Sequence, residues 1–312
     1  MNNYEKFQLT EEEIQTGIDD FFTQILIEAR RSSINARTLS DLSSSNPKVS
    51  YLVGQPGSGK TTLGRFVEEE FNQRGECAVE ISSDRIATFH RDYNELIKLL
   101  PEECYTISRQ FVRPATKVIL DTIREKQITI MREATLNKGE VDYKDMKTFK
   151  ESGYSIDVNI MAVDKYESFL SCIERDIKLL EIGFDPRPIA RSNHDRMYEP
   201  FLQELIEMEK RGLCDRVRVF TRGKSASQPI LVWSTGETKY ASAQDAVICE
   251  RAKSRREIMS EPHGYLARIS SARIKIMTMI PDEKMRRNYI EQLTQLEREF
   301  LNELSFDRNI GE

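Results

Sequence analysis

The sequence predicts an α/β fold in which a mostly parallel sheet carries helices on both faces, with an N-terminal helix before it and a helical C-terminal extension after it. Three observations lead to this prediction. Apolar runs of strand length alternate with stretches of helical periodicity, as in proteins with parallel sheets. A glycine-rich turn joins the first of these runs to a helix. The chain of 312 residues, 39% apolar and 31% charged, has the composition of a globular protein with one large core.

The net charge and the cysteine pattern exclude or disfavour some classes of protein. The net charge of −5 disfavours a nucleic-acid partner, because a phosphate backbone calls for a basic surface. The five cysteines are scattered and form no C-x-x-C pair, as expected of reduced thiols in the cytoplasm. The N-terminal segment lacks the apolar run of a signal peptide, and no stretch approaches membrane-spanning length. We therefore expect a cytoplasmic protein without a membrane partner.

The N-terminal segment, residues 1–47, predicts one helix and a linker. Thr10-Glu11-Glu12-Glu13 is a capping box, and apolar residues follow it at helical spacing up to Leu26. This indicates an amphipathic helix over residues 10–30, and the serine-rich residues 32–47 indicate a loop. The helix either packs on the core or covers a ligand site as a gate. The continuous apolar stripe favours packing.

The glycine-rich turn matches the phosphate-loop pattern G-x-x-x-x-G-K-[ST] at every fixed position. A buried strand ends at Val53 before it, and an amphipathic helix follows over residues 63–71. This arrangement aims backbone N–H groups and the positive end of a helix at one point, which suits a polyphosphate. The pattern therefore predicts a P-loop NTPase type of fold that binds ATP or GTP, with Lys60 on the outer phosphates and Thr61 on Mg²⁺. The predicted nucleotide-binding residues are Gly54, Gln55, Pro56, Gly57, Ser58, Gly59, Lys60, Thr61 and Thr62. The alternative is a glycine turn without a ligand, which the flanking strand and helix disfavour.

Further strands and helices alternate after the phosphate loop. The predicted strands are Cys77–Ile81, Ile128–Met131, Ile156–Val163 and Val217–Phe220, with a hairpin or edge strand over Gln228–Trp233. Residues 93–126 are predicted to be mostly helical with a break near Pro101, and further helices are predicted over 166–182 and 195–211. We assign residues 48–242 to the core and the charged, helical residues 243–312 to an extension. In such sheets ligands lie beyond the carboxyl ends of the strands.

Several polar residues follow strand ends and are candidates for chemistry. Asp84 follows the second strand and could be a general base or a ligand of Mg²⁺ through water, or else a helix N-cap. Glu133 and Thr135 follow the third strand, where a loop salt bridge is the alternative. Arg175 and Arg187 could neutralise the charge of a transferred phosphoryl group, although each alone could be a surface arginine.

The order of these motifs resembles the zeta toxin family of bacterial toxin–antitoxin systems over residues 5–260. The motifs are G-Q-P-G-S-G-K-T-T-L, the strand-end Asp84 with F-H after it, R-E-A-T-L, I-E-R-D-I and D-P-R-P-I-A-R-S-N-H-D. The resemblance implies a P-loop kinase that phosphorylates UDP-N-acetylglucosamine and is held inactive by a small helical antitoxin.

The resemblance also implies roles for individual residues. Lys60 and Thr61 take the nucleotide and metal positions, and Asp84 takes that of the catalytic base. Glu133 and Thr135 fall on the loop that meets the sugar nucleotide. Arg175 and Arg187 match the phosphate-contacting arginines, with Arg191 as a competitor for the second of them.

Departures from the family pattern fall on the acceptor side. They are Ser82, Arg91, Arg132, Ala134 and Asn137. The alternatives kept open are a kinase of another small molecule or of a nucleic-acid end, and a nucleotide-dependent switch that has no acceptor.

Overall fold

The computed structural model describes residues 5–31, 34–100, 103–198, 200–223 and 228–310. Within these ranges the strands form one six-stranded sheet in the order β2-β3-β1-β4-β5-β6. The strands are β1 Lys48–Val53, β2 Val79–Ile81, β3 Ile130–Ala134, β4 Ser155–Met161, β5 Arg216–Arg222 and β6 Pro229–Ser234. β1 to β5 are parallel, and β6 pairs antiparallel with β5 at the edge. The predicted α/β fold is confirmed.

The helices cover both faces of the sheet. They are α1 Glu11–Arg31, α2 Lys60–Gln73, α3 Ser83–Ala87, α4 Tyr93–Leu99, α5 Cys104–Glu125, α6 Glu140–Glu151, α7 Lys165–Glu181, α8 Arg191–Tyr198, α9 Phe201–Lys210, α10 Ala243–Ser260, α11 Pro262–Met279 and α12 Glu283–Ile310. In β1, Val49 and Val53 face a core shared with α1, α5, α6, α9 and α10, whereas Leu52 faces α2. Both sides of this central strand are therefore apolar, as parallel sheets require.

The N-terminal helix packs into the main core. The capping box is present, because the Thr10 N–H donates to Glu13 Oε2 at 2.8 Å and the Glu13 N–H to Thr10 Oγ1 at 3.3 Å. Its buried stripe, which includes Ile18 and Phe21, belongs to the same apolar cluster as the sheet. A Cβ on Gly17 would lie 2.7 Å from the Phe111 ring of α5, so the two helices touch closely there.

The C-terminal helices form a second core of their own with α7. Tyr166, Phe169 and Ile173 of α7 pack against residues of α11 and α12 such as Ile269 and Leu293. α10 contacts α9 and β5 and joins the main core, and its Ile258 and Met259 also pack against the second core. Helices α11 and α12 of the extension therefore pack against α7, the helix that follows β4.

Several predicted elements differ from the observed ones. The third strand is Ile130–Ala134 and not Ile128–Met131, so Glu133 lies within it and not after it. The region 93–126 contains α4 and α5, and the break predicted near Pro101 lies outside the described residues.

The helix predicted over 195–211 is wrong, because it is divided into α8 and α9. Pro200 stands before α9, and a proline inside a helix removes a hydrogen bond and clashes with the preceding turn. The second strand is shorter than predicted, since only Val79–Ile81 of Cys77–Ile81 pairs with β3. Helix α6, which buries Tyr143, Met146 and Phe149, was not predicted.

Candidate functional site

The phosphate loop connects β1, which ends at Val53, to α2, which begins at Lys60. Gly57 has φ +71°, and a Cβ there would lie 1.9 Å from the carbonyl oxygen of Ser168 on α7. Gly59, the residue before the helix, has φ +104°. Since only glycine adopts these conformations without strain and fits against α7, the glycines fix the path of the loop.

Two polar groups in the loop are suited to a phosphate. Lys60 Nζ donates to the carbonyl oxygens of Gly54 at 2.9 Å and of Gln55 at 3.2 Å. Ser58 is fully buried, and its Oγ has no hydrogen-bond partner among the described residues. Buried hydroxyl groups are normally paired, so a ligand oxygen that accepts from Ser58 fits this cradle. Thr61 is exposed on the first turn of α2, and Thr62 beside it is half-buried.

The Gln55 side chain connects the phosphate loop to neighbouring elements by hydrogen bonds. Its Nε2 donates to the carbonyl oxygen of Val163 at 2.8 Å and to Ser168 Oγ at 3.1 Å. Its Oε1 accepts from Arg251 of α10 at 3.3 Å. Ser168 Oγ also lies 2.9 Å from Nε2 of the buried His194. The side chain of Gln55 is thus fully used in contacts inside the protein, so any contact of this residue with a nucleotide is expected from its backbone.

Arg222 at the end of β5 is a residue that the sequence analysis missed. Its guanidinium donates to the carbonyl oxygens of Gly57 and Ser58, to Glu167 Oε1 at 2.8 Å and to Ser171 Oγ at 2.9 Å. It therefore ties the phosphate loop to α7. The strand-end rule could have found Arg222, because it is the last residue of a strand whose carboxyl end lies at the same edge.

Asp84 lies in the first turn of α3 with its side chain 69% exposed. It is not the cap of this helix. The N-cap of α3 is Ser82, because its Oγ accepts a hydrogen bond from the Arg85 N–H at 3.1 Å. Arg187 Nη1 lies 4.0 Å from Asp84 Oδ2. The capping alternative for Asp84 is thereby removed, and its carboxylate is accessible to a ligand.

Glu133 is partly buried near the end of β3, where it pairs in register with Leu52 of β1. Burial raises the pKa of Glu133, and the charge of Lys60 opposes this rise. It forms no ion pair with any described residue, so the salt-bridge alternative has no support here. Thr135 donates from Oγ1 to Asn137 Oδ1 at 2.7 Å.

The charges at this edge act on one another. Burial lowers the pKa of Lys60, the carboxylates of Glu133 and Asp84 oppose that shift, and the positive charge of Arg175 adds to it. The four groups come from α2, β3, α3 and α7. The folded chain thus brings the phosphate-loop lysine, two carboxylates and an arginine into one electrostatic neighbourhood at the carboxyl edge.

The three candidate arginines differ in their surroundings. Arg175 donates to Asp176 Oδ1 from Nε at 3.0 Å and from Nη2 at 2.8 Å, and to the Arg187 carbonyl oxygen at 2.8 Å. Arg191 is buried, paired with Asp195 at 2.9 Å and with Glu299 at 3.2 Å. Arg187 faces Asp84, whereas Arg191 holds α8 against α12.

Among the described residues, no helix combines the length and the apolar character needed to cross a membrane.

Comparison with known proteins gives consistent matches. The family model described as zeta toxin matches residues 32–228. Toxin zeta of Streptococcus agalactiae is 24% identical over 260 residues, which cover 83% of this chain and 87% of that protein. Toxin PezT of Streptococcus pneumoniae is 24% identical over 214 residues, covering 68% of this chain and 82% of the relative.

Solved structures share the fold. A structure from the PezAT chromosomal toxin–antitoxin system of Streptococcus pneumoniae has a TM-score of 0.62 at 19% identity and covers 96% of this chain and 98% of its own. The AvrRxo1-ORF1:AvrRxo1-ORF2 complex with ATP has a TM-score of 0.55 at 13% identity, covering 90% of this chain and 89% of that one. The phosphate loop, the six-stranded sheet and the matched residues lead to one conclusion: this chain belongs to the zeta toxin family of kinase-like toxins of toxin–antitoxin systems.

Proposed function

We propose that the protein is an ATP-dependent phosphotransferase that phosphorylates a hydroxyl group of a nucleotide sugar, UDP-N-acetylglucosamine, in the cytoplasm. The observation that carries this proposal is the phosphate loop, which ends at Lys60 at the start of α2. Asp84 follows strand β2, Glu133 lies near the end of β3, and Arg175 lies on α7. A kinase needs positive charge on the transferred phosphoryl group and a base on the acceptor, and this set contains both.

On the nucleotide side, the phosphate loop binds the polyphosphate through its backbone N–H groups and the positive end of α2. Lys60 exchanges its contacts with Gly54 and Gln55 for the outer phosphates. Mg²⁺ prefers oxygen ligands, and the exposed Thr61 hydroxyl at the start of α2 is suited to hold it. When bound, the ion offsets negative charge on the phosphates.

On the acceptor side, Asp84 takes the proton of the attacking hydroxyl group. Its exposure leaves the carboxylate free to receive a substrate, and general-base catalysis requires hydrogen-bond reach between the two. Glu133 and Thr135 hold the nucleotide sugar, while Arg175 and Arg187 neutralise the charge that develops on the transferred group. The proton moves to Asp84 as the hydroxyl oxygen bonds to the γ-phosphorus and ADP leaves.

A protein partner is part of the proposal. The PezAT system is named as a toxin–antitoxin system, and AvrRxo1-ORF1 was solved in complex with ORF2. We infer that a small helical antitoxin binds this chain in the same manner and keeps it inactive in its host.

The test uses purified protein, Mg-ATP and a panel of nucleotide sugars, with products read by mass spectrometry. UDP-N-acetylglucosamine should gain one phosphate, and Lys60→Ala should abolish this gain and cellular toxicity together. Lys150→Ala is the matched control. Lys150 also donates to a backbone carbonyl, that of Gly212 at 2.7 Å, but lies beside the start of β4. ATP hydrolysis at the same rate with and without every acceptor would instead identify a nucleotide switch, and phosphorylation of another panel member would correct the substrate.

A further inference from the structure

Tyr289 of the C-terminal helix α12 reaches a carboxylate next to one of the proposed transfer arginines. Its hydroxyl group donates to Asp176 Oδ2 at 2.7 Å. The other oxygen of the same carboxylate, Oδ1, accepts from Arg175 Nε at 3.0 Å and from Nη2 at 2.8 Å. Asp176 is 2% exposed and Tyr289 3%. One buried carboxyl group thus joins α12 to Arg175.

The chain of polar contacts continues to the proposed base. Arg175 Nη2 also donates to the carbonyl oxygen of Arg187 at 2.8 Å. Arg187 Nη1 in turn lies 4.0 Å from Asp84 Oδ2. The two arginines are therefore connected to each other through the Arg187 backbone, and the Asp176 carboxyl group holds Arg175 directly.

The Asp176 carboxyl group can fix Arg175 only if its own rotation is restricted. With Arg175 on Oδ1 and Tyr289 on Oδ2, both oxygens are engaged and the plane of the group is defined. Burial raises the pKa of Tyr289 and the charge of Asp176 raises it further, so the phenol keeps its proton and remains a donor. The Arg175 side chain is 45% exposed. Without a fixed acceptor, a long exposed side chain of this kind regains rotamer freedom.

We propose that Tyr289 is a positioning residue, which orients Arg175 through Asp176, and Arg187 through its backbone, toward the γ-phosphoryl group of a nucleoside triphosphate. This inference rests on the proposed function, which assigns that phosphoryl group to Arg175. Tyr289 lies beyond residue 228, where the match to the family model ends. It gives the C-terminal helices a part in nucleotide recognition.

The test compares Tyr289→Phe with Tyr265→Phe. Tyr265 is a matched control, because it is also 3% exposed, lies in the same core of α7, α11 and α12, and donates to a backbone oxygen, that of Tyr166, at 2.9 Å. Affinities for AMP-PNP and for ADP, both with Mg²⁺, are measured by calorimetry. Tyr289→Phe should weaken AMP-PNP binding on the order of tenfold and leave ADP binding unchanged, since ADP lacks the γ-phosphoryl group. Tyr265→Phe should leave the ratio of the two affinities unchanged.

A double-mutant cycle separates positioning from general damage. If Tyr289 acts through Arg175, Tyr289→Phe should have no further effect on AMP-PNP binding in an Arg175→Ala background. The inference is overturned by an undiminished loss in that background, by an equal loss for ADP, by an equal loss in Tyr265→Phe, or by an Arg175→Ala variant that binds AMP-PNP normally. Absence of phosphoryl transfer in the wild type would overturn the proposed function alone, because this comparison needs neither acceptor nor turnover.

Discussion

At the scale of single residues, the carboxylates at the sheet edge differ in exposure, and this separates their roles. Asp84 is largely exposed and does not cap its helix, whereas Glu133 is partly buried near Lys60. We propose that the exposed carboxyl group exchanges protons with a substrate and that the partly buried one acts on the charge of the lysine beside it.

Replacing Asp84 by Asn removes the proton acceptor and keeps the shape of the side chain. Turnover should fall by about 10² or more, with ATP affinity nearly unchanged, because the carboxylate acts on the acceptor hydroxyl. Steady-state rates combined with ATP titrations measure both quantities. A variant that binds ATP poorly but turns over normally at saturation would make Asp84 a metal or structural residue.

Replacing Glu133 by Gln should stabilise the protein and weaken its activity. Burial raises the pKa of Glu133 above its ordinary value of 4.5, so its ionised form costs folding free energy at neutral pH and its protonated form does not. The variant should therefore melt at a higher temperature at pH 8, and the gain should shrink as the pH falls through the raised pKa toward 4.5.

The control for this change is Glu125→Gln, at a side chain that is 71% exposed and should show no comparable gain. Thermal melts of both variants across the pH range decide the matter. A Glu133→Gln protein that is less stable than the wild type at pH 8 would show that the carboxylate is stabilised by its neighbours.

At the scale of elements, the N-terminal helix behaves as part of the core. Its apolar stripe lies in the main cluster, and two arginines from the segment after β2 are paired with it: Arg85 with Glu28 at 2.5 Å, and Arg91 with Glu13. A helix that must release easily as a gate would bury less than this one does.

Deleting residues 1–47 should therefore give insoluble or inactive protein. A milder form of the same test is Phe21→Ala, which removes a fully buried ring and should cost about 3–5 kcal/mol of unfolding free energy. Phe22→Ala is its control, since Phe22 is only half-buried and should cost less. Denaturant unfolding and growth assays provide the readouts. A truncated chain that is soluble and more toxic than the full one would make α1 a built-in inhibitor.

The sequence predicted a structural element correctly where a single local sequence pattern determines that element. The strand, glycine turn and helix of the phosphate loop follow from local chemistry, and so does the capping box of α1. Helix α6 was missed because its pattern is weak, with three buried residues among charged ones and a glycine with φ +54° as its N-cap. Pro200 indicates a break between α8 and α9, but the apolar residues on both sides of it follow helical periodicity and favour one continuous helix.

At the scale of the whole molecule, α7 links the phosphate loop to the core of the C-terminal helices. One end of it touches the phosphate loop through Ser168, its buried side packs on α11 and α12, and Arg175 stands farther along. Periodicity identified the apolar faces of the C-terminal helices but not what they cover, because the contact partners lie about a hundred residues away in the chain. For the same reason Arg251 and Tyr289 could not be linked to the phosphate loop and to Arg175 from spacing alone.

The contact between Gln55 and Arg251 also has a consequence for biosynthesis, since 196 positions separate the two residues. A ribosome adds about 5–20 residues per second, so roughly 10–40 s pass between the synthesis of the phosphate loop and that of the arginine that braces it. During this interval the loop also lacks Arg222 until β5 has been made. We expect the growing chain to remain catalytically silent until most of it has left the ribosome, and a protein partner translated nearby gains that time to meet it.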